Sequence, residues 1–287
     1  MTKRAAELPT GLALYVRRFD SKRHGSAAQL MRRMKDHGAS WVAVAGPWDD
    51  DPEGLRFINR PDTCHRLLDA AAEAGLDGYV WGYPFLGREA QFVEAITRCA
   101  GASRGGLPVR ILLDPELGAN PTRAARGAGF RAAEAGASRL VSLLGEAVPA
   151  GSVCGLSTYG SALRFRWFPL TAYTQALSTV FPSRCFIGGQ TYTEDSRIDA
   201  SIADFVKLAS QMKVPPKVVP NFGVYQKTGT GYRAKTALEL DAHFLEFINE
   251  QEPVDALIGW AENFMTPELW RSFAKMSDLM KRGATKL

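Results

Sequence analysis

Val109-Arg110-Ile111-Leu112-Leu113-Asp114-Pro115-Glu116-Leu117-Gly118 reads as a short buried strand over residues 109–113 that delivers two carboxylates to its C-terminal end. Side chains alternate along an extended backbone, so Asp114 and Glu116, two apart, leave the same face. An apolar run that ends in acids starts in a core and finishes in a polar cleft. Burying a carboxylate costs free energy unless it is paired or put to use.

The same unit, a short apolar run followed by a helical stretch, repeats on both sides of this segment. The other strands are predicted at residues 11–16, 41–45, 78–85, 153–159, 185–192, 217–225 and 255–264. Helical spacing of apolar residues marks 26–37, 61–74, 88–99, 121–144, 170–180, 201–212, 237–249 and 267–280. Gly127, Gly129 and Gly136 interrupt the fourth helical stretch and leave its continuity open, and Gly46 to Asp51 is the exit loop of the second strand. Eight strand–helix units in 287 residues predict a single (β/α)8 barrel, a TIM-type fold that typically takes ~250 residues. No proline- or serine-rich linker divides the chain, so residues 1–287 are expected to be one domain. A doubly wound open sheet is the alternative, but no Gly-x-Gly-x-x-Gly follows the first strand.

Composition limits the function classes. Apolar residues make up 46% and charged residues 23%, which suits a globular protein with a sizeable core. The net charge of +5 fits an anionic polymer or a cell envelope, but the basic residues are scattered and form no nucleic-acid stripe. Cys64, Cys99, Cys154 and Cys185 form no CxxC pair, and the four histidines form no HExxH, so neither a metal nor a cofactor is expected. The cysteines suit reduced, buried thiols. No segment approaches the ~18 apolar residues of a membrane span, and Pro9 and Gly11 break the only candidate signal-peptide core. The expected location is therefore cytoplasmic on synthesis, with any release to the cell wall or to a virion by another route.

In a barrel the active site forms where the strands end. The strand ends predicted here carry Tyr15 and Arg17, Trp48 and Asp49, Trp81 and Tyr83, Asp114 and Glu116, Thr158 and Tyr159, Gln190 and Tyr192, Asn221 and Tyr225, then Trp260 and Glu262. Aromatic faces stack on sugar C–H surfaces while amides and hydroxyls bond the sugar hydroxyls, so this set suits a polysaccharide groove. The same aromatics could instead fill the barrel. Glycoside hydrolysis needs a proton donor and a second carboxylate, and neighbouring acids push their pKa values apart. Glu116, with the longer reach, is assigned the acid role and Asp114 that of its partner; Asp114 could otherwise cap a turn or pair with an arginine. Glu262, read on the same face as Trp260, could approach Glu116 across the cleft or anchor the loop before Thr266-Pro267. Asp49-Asp50-Asp51 lacks the alternation of a calcium loop. Thr228-Gly229-Thr230-Gly231, with Arg233 and Lys235, could hold a phosphate or form a mobile lid.

Leu113-Asp114-Pro115-Glu116 resembles the Asp-x-Glu strand end of the family 25 glycoside hydrolases, the lysozyme-like barrels. Gly78 to Tyr83 is similar to the strand before that motif, Gly155 to Tyr159 to the strand after it, and Gly189 to Thr193 to the Trp-Gln-Tyr element beyond. The resemblance covers residues 11–195. It implies muramidase-like cleavage of peptidoglycan, as in bacterial and bacteriophage lysins, with Glu116 as acid and Asp114 as its partner. Where that family carries an aspartate in the first strand, this chain has Gly11-Leu12-Ala13-Leu14 and no acid until Asp20. Two other expectations stay open: a non-catalytic glycan-binding or virion-assembly barrel, and a metabolic barrel acting on a phosphorylated substrate.

Overall fold

The segment that organises the sequence becomes the strand Arg110–Leu113, one stave of a closed parallel ring. The structure, a computed structural model, describes residues 6–50, 54–84, 86–104, 106–115, 128–159, 168–191, 198–228, 231–248 and 254–282. The staves are β1 (Gly11–Val16), β2 (Ala39–Asp50), β3 (Asp77–Tyr83), β4 (Arg110–Leu113), β5 (Val153–Tyr159), β6 (Cys185–Thr191), β7 (Asn221–Gly223) and β8 (Ala256–Trp260). Each pairs in parallel with the next, and β1 pairs with both β2 and β8, which closes the barrel. The helices are α1 (Ala27–Asp36), α2 (Pro61–Glu73), α3 (Glu89–Ala100), α4 (Ala128–Ala147), α5 (Leu170–Val180), α6 (Ile198–Ser210), α7 (Ala237–Ile248) and α8 (Pro267–Lys281). The predicted (β/α)8 barrel is the observed fold.

Period-two alternation splits each strand between two cores. Leu12, Leu14 and Val16 of β1, with Val42 and Val44 of β2, face the helices. Ala13 and Tyr15, with Trp41, Ala43 and Ala45, face the barrel axis. Low on that axis Trp41, Tyr79 and Phe186 meet edge to face, with ring centroids 5.2–6.1 Å apart. They form the floor of the barrel. Burying a side chain of this size is worth roughly 1.5–3 kcal/mol. All four cysteines are buried and none is in a disulfide.

At several places the structure corrects or completes the sequence reading. β2 does not stop at Ala45: it runs to Asp50 and pairs antiparallel with Gly54–Phe57, Trp48 opposite Arg56, so the expected exit loop is a hairpin. The seventh strand is split into Lys217–Val218 and Asn221–Gly223 at Pro220, which has no N–H to give the ladder. There β6 and the incoming chain touch so closely that a Cβ on Gly188 would lie 1.8 Å from the Val219 carbonyl oxygen. The described part of the fourth helix is continuous through Gly136, where a Cβ would come within 3.0 Å of Glu89 Oε1; this glycine permits close packing instead of breaking the helix. Finally, the Gly-rich segment after β7 joins the strands of a hairpin, Tyr225–Thr228 with Gly231–Ala234.

Candidate active site

Leu112 faces the axis and Leu113 the helices, so the next residue, Asp114, turns back inward. Its N–H donates to the Gly82 carbonyl at 2.9 Å, which ties the chain beyond β4 to β3. Thr158 Oγ1 donates to the Pro115 carbonyl at 3.0 Å and fixes the other side. Asp114 is only 4% exposed, and its carboxyl group accepts a 2.7 Å hydrogen bond from Gln190 Nε2. Gln190 Nε2 also lies 3.3 Å from Ser157 Oγ, which donates to Asn221 Oδ1 at 3.3 Å. Asn221 Oδ1 takes a second bond, from the Tyr15 hydroxyl at 2.9 Å. One polar chain thus crosses the barrel from β4 through β6, β5 and β7 to β1. Buried polar networks of this kind fix side-chain orientation when their members are satisfied.

An aromatic wall stands beside this chain. Trp48 stacks on Tyr83 at 4.4 Å and 19°. Trp81 meets Trp48 at 6.0 Å, Trp260 at 5.2 Å and Tyr15 at 5.6 Å, all near edge to face. Trp48, Trp260 and Gln190 are part-exposed, whereas Trp81 and Tyr15 are fully buried. The Trp81 indole N–H has no acceptor among the described residues. Among the described residues the ring mouth therefore combines the Asp114 carboxyl group, the Gln190 and Asn221 amides and several aromatic faces, a mix that can hold a sugar by stacking and hydrogen bonding.

The other candidates divide. Glu116 and Tyr192 lie outside the described residues. Asp49 sits in β2 opposite Leu55, and its side chain is likewise outside them. Tyr159 packs on Phe168, with centroids 6.1 Å apart, at the outer core. Tyr225 opens the second hairpin and packs against Tyr232 and Phe264. Glu262 does not share the Trp260 face, because β8 ends at Trp260 and Glu262 begins a 3-10 turn. It is 3% exposed, and its Oε1 lies 3.1 Å from His24 Nε2 at ion-pair distance, without hydrogen-bond alignment. Burial raises the Glu262 pKa, and burial followed by the Arg23 charge lowers that of His24. His24 Nδ1 accepts the Asp20 N–H at 3.0 Å, so a neutral ring carries its proton on Nε2, toward Glu262. Of the two cations considered for phosphate, Arg233 is bonded to Glu239 at 2.6 and 2.9 Å and Lys235 is buried.

Two site residues carried no signal strong enough to single them out, and for Tyr15, read as a strand-end residue, the sequence did not show its bond to Asn221. Ser157 could have been found by stepping along β5 from the inward-facing Val153 in twos. His24 lies on the helical turn Ser21–His24, too short to leave a periodicity.

No protein-family model matches the chain, and none of the curated proteins does either. Solved structures do match. The spore cortex-lytic enzyme SleL of Bacillus cereus aligns with a TM-score of 0.60 and 12% identity over 93% of this chain and 74% of that one. A Bacteroidetes-affiliated GH5 cellulase gives 0.59 and 11% identity over 95% and 92% of the two chains. The endo-1,4-beta-mannanase of Rhizomucor miehei gives 0.59 and 10% over 95% and 95%. The barrel is thus similar in fold to glycoside hydrolases. Among the described residues no helix is long and apolar enough to cross a membrane.

Proposed function

We propose that this protein is a glycoside hydrolase of the lysozyme-like kind that cleaves peptidoglycan, with Glu116 as general acid and Asp114 as its charged partner. The observation that supports the reading is the inward-turned Asp114 carboxyl group, held by Gln190 at 2.7 Å beside the Trp48–Tyr83 stack and Trp81. In this reading Gln190 orients the carboxylate, and the polar chain through Ser157, Asn221 and Tyr15 holds Gln190. The aromatic wall, Trp260 included, receives the sugar faces, with Asp49, Tyr192 and Tyr225 as further contacts; Tyr159, packed on Phe168 at the outer core, is not among them. Glu262 enters as the buried partner of His24, steadying the exits of β8 and β1, and not as a second acid. The protein would meet the polymer at the cell wall, released there or carried by a virion.

Release of reducing ends from purified peptidoglycan tests the proposal. Removing a general acid costs about 10²–10⁴-fold in rate, so Glu116→Gln is expected to fall by that factor while its melting temperature holds. Equal release by wild type and variant sinks the mechanism. A second reading, a barrel that binds glycan without turnover, is favoured by β1, where Tyr15 bonds to Asn221 and no acid stands. It predicts co-sedimentation with peptidoglycan and no reducing ends from wild type.

A further inference from the structure

Next to the aromatic wall lies a cavity of about 560 Å³ that the polar chain does not reach. Its volume falls within the ~300–1,000 Å³ of small-molecule sites. Trp48 forms one side, and Arg17, Arg18, Arg23 and Arg56 line the rest together with Asp20. The Asp20 carboxylate is engaged locally, accepting the Lys22 N–H at 2.9 Å. Arg17 and Arg18 are exposed and form no ion pair among the described residues.

These arginines sit on a pinned frame. Asn59, 4% exposed, accepts the Phe19 N–H at 2.9 Å and donates to the Arg17 and Ala45 carbonyls at 3.0 and 2.9 Å. It thereby clamps the exit of β1 to β2. Arg23 donates to the Asn263 carbonyl, and Arg56 stands directly across the hairpin from Trp48. Guanidinium groups gathered on a pinned backbone recognise planar oxyanions by paired hydrogen bonds. Lowered by burial, the His24 pKa keeps that neighbour from adding to the charge.

We propose that this arginine pocket is a subsite for a carboxylate-bearing sugar of the glycan whose adjoining ring stacks on Trp48. The proposal rests on the glycan reading above and adds to it the charge of the substrate.

The test is calorimetric binding of peptidoglycan glycan fragments with free carboxyl groups, compared with the same fragments after methyl esterification. Wild type should prefer the free acid by about tenfold at low salt, one charge-assisted hydrogen bond's worth. The double variant Arg17→Gln/Arg18→Gln should lose that preference. Equal affinity for acid and ester, a preference that survives in the double variant, or no binding of either fragment overturns the proposal. Inorganic phosphate that binds where the fragments do not also overturns it, because the pocket would then serve a free anion. If the acid preference stands while Glu116→Gln and wild type release equal reducing ends, only the cleavage mechanism falls.

Discussion

Asn221 is the residue on which the polar chain turns. Its side-chain oxygen accepts from both Tyr15 and Ser157, and all three side chains are buried. Asn221→Leu would leave two buried hydroxyls without that acceptor, each at a cost of about 1–3 kcal/mol. We expect urea denaturation to show a loss in that range or larger, and a loss under 0.5 kcal/mol would mean the network carries no structural weight. Gly188→Ala is a purely steric counterpart. Its methyl group would overlap the Val219 carbonyl, and overpacking of this kind costs roughly 1–3 kcal/mol. The expected outcome is a lower melting temperature with the aromatic wall intact, read by near-ultraviolet circular dichroism.

Among the elements, the hairpin Tyr225–Ala234 is held to α7 through Arg233 and Glu239. Hydrogen bonds from Arg233, then from Thr236, hold the Glu239 carboxyl group down at about 2. Arg233→Ala should let it rise toward the ordinary glutamate value of about 4.3, as followed by NMR titration. An unchanged value would show that the Thr236 bonds suffice. Elements differ in how far the sequence disclosed them. The eight staves were legible because each is a short apolar run closed by a glycine or polar stop, and inward alternation along β4 was enough to turn Asp114 to the axis. The extension of β2 was not, because Gly46-Pro47 and the acids after Trp48 read locally as a loop. Pairing with Gly54–Phe57 overrides that propensity. Likewise Glu262-Asn263 after Ala261 reads equally well as a polar strand end or as a turn, so nothing local decides that the strand stops at Trp260 and Glu262 swings toward His24. Gln190 and Asp114 were each legible as strand-end residues, but their contact depends on the ring bringing β4 and β6 to one axis.

For the molecule as a whole, buried histidines contribute to the loss of stability in acid. Burial, then the Lys235 charge, lowers His243 to about 3, and its Nε2 lies 2.9 Å from the Thr191 carbonyl. Between roughly pH 6.5 and that value the unfolded chain takes up a proton that the folded chain refuses. This contribution is full above pH 6.5 and is lost as pH falls, by about 1.4 kcal/mol per pH unit. His24, also lowered, acts in the same direction. Glu262, raised by burial, acts in the opposite one: its preference for the protonated form weakens the fold as pH climbs past the ordinary carboxylate value. Melting temperatures from pH 7 to 4 should fall for wild type and fall less steeply for His243→Gln. Parallel curves would rule out His243 as the source.

The pairing of Gly11 with Ala256 also governs how the protein can be made. A nascent chain emerging from the ribosome holds β1 with one bare flank until the final stave arrives, and β7 waits likewise. Unpaired N–H and C=O rows of this kind recruit other chains. Distant pairings also form slowly. A fragment ending before Ala256 is therefore a template for aggregation, and chaperone demand should peak just before synthesis reaches that residue.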